Sequence, residues 1–265
     1  TDFGYLTLFD TLNEMKQYNE ITLRTKMAKS GFNHNLDKAK KYLTKVILKS
    51  LTEYHAASSV DTTIQNLVLQ VEILYKKKME KMAYKILHKA EKISLEHEKH
   101  QYLLTISSLK SSMALEIPDL DRLKEFMKTG MKKERTYLKH IINTIDYRNF
   151  AVKAAVISQS PQTISGDKAK NKRVKKLFGS SMLKDSKSAL TFSSKRDFYI
   201  LNHSRFQNEG KCSEKSYQLM NEWVEYLEKK KDLLKNMPEI YITALVNLLG
   251  ALIFTGKAKE AENVF

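Results

Sequence analysis

The chain has 265 residues, a formal net charge of +16, 42% apolar side chains, eight glycines and three prolines. So few breakers, with abundant Leu, Lys, Glu and Ala, point to an all-helical protein with a sizeable core. The lone Cys212 excludes an intrachain disulfide. The longest apolar stretch, IYITALVNLLGALIF over 240–254, carries Thr243 and Asn247 and is shorter than the roughly 20 residues of a membrane span.

The opening TDFGYLTLFD lacks the basic start and apolar run of a secretory signal, which favours a cytoplasmic setting. The first helix pair is expected over 4–29 and 36–56, broken at SGFNHN, where Gly31 supplies the turn. A second pair spans 66–100. Leu67, Leu74 and Tyr75 mark its first helix, and Ala83, Leu87 and Ala90 place small, large and small side chains on its second. Lys78 stands in that turn where Gly is common. A third pair covers 101–115 and 119–150, with Pro118 opening its second helix.

SQSPQTISGD then reads as a loop, and KAKNKRVKKLFG over 168–179 as a basic helix. Residues 158–196 hold ten basic and two acidic side chains, so half of the net charge sits there. A fourth unit covers 197–223, with Tyr199, Phe206 and Gly210 in frame and Lys215 where Ala is expected. In the last unit Leu245, Leu248, Leu249 and Leu252 form one helical stripe. Pro238 precedes that stripe, Gly256 ends its helix as a left-handed cap, and Ala261 and Phe265 lie four apart on the next helix.

Leu245, Asn247, Leu248, Ala251, Gly256, Ala261 and Phe265 together resemble the tetratricopeptide repeat, a 34-residue helix–turn–helix unit. Leu249 departs from the usual Gly. Further stretches, among them YLTKVILKSLTEYH, AEKISLEHEKH and RDFYILNHSRFQNEG, look like a group of cytoplasmic proteins of Bacteroidetes bacteria that has no established activity. The resemblance implies an all-α, right-handed α-α superhelix of about five helix pairs, the last truncated, with further helices after Phe265. It divides into a repeat half over 1–157, a basic linker with a short helix over 158–196, and repeats over 197–265, all in one continuous solenoid.

No catalytic constellation emerges. LEHEKH sets His97 and His100 three apart around Glu98, whereas a helical zinc site needs His at i and i+4, so both read as solvated. His34, His55, His88, His140 and His203 have no Cys or acidic partner close in sequence. Cys212 lies early in a helix with no base pattern around it. No Gly-rich phosphate loop occurs. The expectation is a non-enzymatic scaffold without metal or cofactor.

Two candidate surfaces follow. Solenoids present concave grooves, and Gln65, Glu72, Tyr75, Lys76 and Asn247 are candidates to line one that binds a protein or peptide. The carboxylate-gripping places of chaperone-binding repeats fall on Gln65, Val68, Leu69 and Glu72, and on Thr243, Val246, Asn247 and Gly250. Of these only Asn247 is of the right type, so chaperone tails are not the expected ligand. Lys168, Lys170, Lys172, Arg173, Lys175 and Lys176 form the second surface. It reads either as a solvated connector or as a nucleic-acid contact through the phosphate backbone. Leu177 and Phe178 give it too little apolar face for a membrane surface.

Overall fold

The computed structural model describes residues 4–32, 35–55, 59–116, 120–159, 166–208, 214–235 and 237–262. Every regular element among them is helical. In chain order these are α1 (Gly4–Asn13), α2 (Glu20–Lys29), α3 (Leu36–His55), α4 (Val60–Lys76), α5 (Glu80–Glu96), α6 (His100–Glu116) and α7 (Leu120–Glu125). A π-helical turn (Phe126–Gly130) joins α7 to α8 (Met131–Gln159). Then come α9 (Gly166–Phe178), two 3-10 turns (Ser181–Leu183 and Ser186–Ser188), α10 (Phe192–Asn208), α11 (Glu214–Glu228), α12 (Lys231–Leu234), α13 (Pro238–Phe254) and α14 (Ala258–Ala261). None of the described helices is long and apolar enough to cross a membrane.

Capping chemistry explains several of the boundaries. Asn19 accepts from the Thr22 amide, Asn35 from Asp37 and Lys38, Ser59 from Thr62, and Thr191 from Ser194. Each satisfies amides that the first helical turn leaves without partners. Pro238 opens α13 as expected. The expected single helix over 4–29 is instead two, because Asn19 starts a new helix after the turn that follows Asn13. The expected helix over 119–150 is interrupted by the π turn and continues to Gln159. Pro118, Pro161, Gly210, Cys212, His34 and Phe265 lie outside the described residues.

Four helices close alike. At Gly31, Lys78, Glu98 and Gly256 the backbone turns left-handed, with φ of 73°, 60°, 49° and 75°. In each case the amide of that residue and the next one reach back to the last carbonyls, as in Gly256 to Ile253 and Lys257 to Leu252. This is the Schellman arrangement, for which Gly is favoured because it has no Cβ.

The chain divides into two compact units, Thr1–Leu69 and Gln70–Phe265, with the division inside α4. In the first, α1 packs on α2 and α3 around Leu8, Leu23, Met27, Leu36 and Leu43. Glu20 accepts from Lys40 and Tyr18, and these bonds hold its carboxyl down at about 2.

In the second unit the helices pack largely in chain order, α5 on α6, α6 on α8, α8 on α10, α10 on α11, and α11 on α13. Its core joins Tyr147, Phe192, Phe198, Tyr199, Met220, Trp223, Leu227, Leu248 and Leu252. Trp223 stacks on Tyr199 at 5.0 Å and on Tyr226 at 5.6 Å between centroids. Full burial of one such side chain stabilises by about 1.5–3 kcal/mol. Ala83, Leu87 and Ala90 are wholly buried, and so are Ala244, Leu248 and Ala251 to within a few per cent.

The segment expected as a solvated connector is anchored. Leu177, Leu183 and Ala189 enter the core. Tyr147 donates to the Met182 carbonyl at 2.5 Å, and Asn143 both donates to the Ser188 carbonyl and accepts from the Leu190 amide, each at 2.9 Å. Apolar residues scattered through the charged run give it a face to bury, and α8 satisfies its backbone.

Candidate functional site

A cleft of about 230 Å³ opens in the second unit between α5, α6, the π turn and α8. Ala114, Phe126, Tyr84 and Tyr137 give it apolar walls, and His88, Lys110, Glu125 and Lys133 a polar border. The π turn shapes one side. A Cβ at Gly130 would meet the Phe126 ring at 2.5 Å, so glycine is what lets that ring fold back along the helix. Single π turns inside α-helices recur at functional sites.

The polar groups are tied to one another. Lys110 Nζ lies 2.6 Å from Glu91 Oε2, with both side chains mostly buried, and His88 Nδ1 lies 3.6 Å from the same oxygen. Ser107 donates to Glu134 at 2.9 Å. Burial pushes the Tyr137 hydroxyl up, and the nearby Glu91 charge adds to it. Lys133 is exposed and carries no ion pair among the described residues.

Behind Tyr137 lies a histidine pair. The His100 ring stacks against Tyr137 at 6.3 Å and meets the His140 ring edge-on at 4.4 Å. Both nitrogens of His100 and Nδ1 of His140 are shielded from water without a hydrogen-bond partner. Burial lowers the His100 pKa, His140 lowers it further, and Glu98 opposes. His100 is therefore packed, not solvated as its neighbourhood of charges suggested. Glu98 is also structural. Its Oε2 accepts from the Phe192 amide at 2.7 Å, at the N-terminus of α10, and Lys230 Nζ lies 3.4 Å from Oε1. Among the described residues no three His, Cys, Asp or Glu side chains converge as metal ligands.

Of the expected groove residues, Gln65, Glu72, Tyr75 and Lys76 lie along α4 and Asn247 on α13. Gln65, Glu72 and Lys76 are exposed, and Tyr75 and Asn247 half-buried. Tyr75 donates to Glu116 on α6 at 2.5 Å, and burial together with that carboxylate raises its hydroxyl to about 12. Among the described residues no hydrogen bond joins Asn247 to Glu72, Tyr75 or Lys76. Of the basic patch, Lys172, Arg173, Lys175 and Lys176 are exposed on α9, which Leu177 pins to the core. None of the four has an ion-pair partner among the described residues. The side chains of Lys168 and Lys170 lie outside the described residues.

Sequence reasoning missed the cleft. Its one legible signal is Gly130 inside a run of helix formers, four residues after Phe126. The meeting of His100 with His140 has no signature in local spacing. No protein-family model, curated protein or solved structure matches this chain.

Proposed function

We propose that the chain is a non-enzymatic helical-repeat scaffold, built as a right-handed superhelical stack, that binds a protein or peptide partner. The cleft between α5, α6 and α8 carries this reading. Small-molecule sites run to roughly 300–1,000 Å³, whereas this one, at about 230 Å³, suits one or two side chains of a peptide. Its apolar walls take an aliphatic or aromatic anchor, and Lys133 and His88 at the border offer donors to a neighbouring carbonyl or carboxylate. The chain-order packing of the second unit supports the repeat architecture, since stacked helix pairs contact chiefly their neighbours.

The test is a photo-crosslinking residue at Lys133 in the native host. One defined peptide segment is expected, displaced by the synthetic segment and lost when Ala114→Trp fills the cleft. A crosslink spread over unrelated proteins, or one unaffected by Ala114→Trp, sinks the reading.

A second reading has its own observation, the four exposed cations on α9 that have no ion-pair partner among the described residues. Clustered cations bind phosphate backbones by releasing counterions. Neutralising Lys172, Arg173, Lys175 and Lys176 is then expected to weaken nucleic-acid binding and flatten its salt dependence, by a slope of about 0.9 per lost contact. An unchanged slope removes this reading.

A further inference from the structure

Helix α8 is apolar on two opposite faces. Tyr137, Asn143 and Tyr147 are buried on one. On the other, Met131, Leu138, Ile142, Ile145 and Val152 are between 44% and 57% exposed. At about 100° per residue these five fall within an arc of roughly 80°, centred opposite Tyr147, and they extend over roughly 32 Å. Isolated exposed apolar residues need no account, but an aligned row of them marks a contact surface.

The row has a heptad register. Met131, Leu138, Ile145 and Val152 recur every seven residues, and the complementary seam position holds Arg135, Ile142, Asn149 and Val156, all four exposed. This is the pattern of a coiled-coil seam, in which a single Asn sets register. A stripe so narrow does not suit a lipid surface, which favours a broad apolar face with aromatic residues. None of these five is aromatic.

The flanks state the partner's charge. Lys132, Lys139 and Lys153 line one side, interrupted by Asp146, and none of the three has an ion pair among the described residues. On the other side Arg148 is exposed, while Glu134 accepts from Ser107. Two copies laid antiparallel would set lysine flank against lysine flank. Laid parallel, they would place Arg148 against Lys153, and each chain brings +16. An acidic flank meets all of these cations.

We infer that the outer face of α8 docks an amphipathic helix of a partner protein whose apolar seam is flanked by Glu or Asp. This rests on the reading of the chain as a partner-binding scaffold and names a second contact surface on it.

Two synthetic helices about four heptads long, with the same Leu/Ile seam and one Asn, test it against the full chain by fluorescence anisotropy. One carries Glu at its flanks and the other Lys. The Glu-flanked helix is expected to bind at least about tenfold more tightly at low salt. Ile142→Gln with Ile145→Gln should weaken it at least about tenfold, with the thermal midpoint held because both side chains are exposed. Lys139→Glu with Lys153→Glu should reverse the preference. Equal binding of the two helices, no binding of either, or indifference to the isoleucine substitutions overturns the inference. So does a dimer in sedimentation, or binding to phosphatidylserine vesicles, that the isoleucine substitutions abolish, since the face then serves a second copy or a lipid surface. If the Lys133 crosslink persists while both helices fail, the scaffold reading stands and only the docking face falls. If the crosslink fails in the unsubstituted chain, the scaffold reading falls by itself.

Discussion

Lys78 and Glu98 occupy the same left-handed cap position, yet their substitution should have opposite effects. Each has a Cβ where glycine is favoured, at a cost of about 1–2 kcal/mol. Among the described residues the Lys78 side chain makes no hydrogen bond or ion pair that repays this, so Lys78→Gly is expected to stabilise by about 1 kcal/mol. Glu98 carries the hydrogen bond to the Phe192 amide, of a charge-assisted kind that contributes about 1.5–3 kcal/mol. Glu98→Gly should therefore destabilise by about 1 kcal/mol net, despite the relief of backbone strain. Urea unfolding of the two variants checks this, and midpoints that move in the same direction would contradict it.

Two histidines, His203 buried and His100 partly so, give stability a pH dependence with a definite sign. Burial lowers the pKa of both His100 and His203 below the ordinary 6.5. His203 is almost fully buried, with Nδ1 3.2 Å from Ser216 Oγ. As pH falls, the unfolded chain takes up these protons before the folded one does. Stability is thus full above about 6.5 and is lost as pH falls through the depressed folded-state values. The urea midpoint should hold level from about pH 8 to 7 and fall toward pH 5. His100→Gln should flatten part of that fall, and an unchanged slope in this variant would assign the effect elsewhere.

Among the elements, α8 organises most of the second unit. It packs on α6, α9 and α10, and its Asn143 holds the backbone at Ser188 and Leu190. Removing that side chain leaves a carbonyl and an amide without partners in a mostly buried place. Asn143→Ala should cost about 2–3 kcal/mol, read by thermal or chemical unfolding. A loss below about 0.5 kcal/mol would mean that water replaces both bonds. The caps at Gly31 and Gly256 were legible because glycine advertises a left-handed turn. The break between α1 and α2 was less so, since EMKQYN contains neither Gly nor Pro and only Asn19 signals the restart. The π turn was hidden for a related reason. Its residues are ordinary helix formers apart from Gly130, and the extra residue is accommodated by the packing of Phe126.

For the whole molecule, the two compact units predict two transitions. Among the described residues the first unit's cluster holds five buried apolar side chains, and the second has a much larger core around the single tryptophan, Trp223. Small cores are marginal, so the first unit should unfold at lower denaturant. Fluorescence of Trp223 reports only the second unit, whereas circular dichroism sums all helices. The dichroism curve is expected to begin falling before the fluorescence curve. Superimposable curves would show that the helix shared by both units couples them into one cooperative block.

The sequence by itself determined the helices and much of their burial. Helix propensity, period and caps act within a few residues, and so Ala83, Leu87, Ala90, Leu248 and Gly256 could be placed from spacing alone. It also located the positive charge of α9, whereas the burial of Leu177 that anchors this helix emerged only in the fold. Only the tertiary structure decided what distant residues do together. Glu98 meets Phe192 across 94 positions and Asn143 meets Leu190 across 47. His100 faces His140, the cleft forms where three helices and a π turn converge, and the outer stripe of α8 stays uncovered. Periodicity marks a face as apolar but carries no information about which neighbour covers it, and that choice is made by packing over the whole unit.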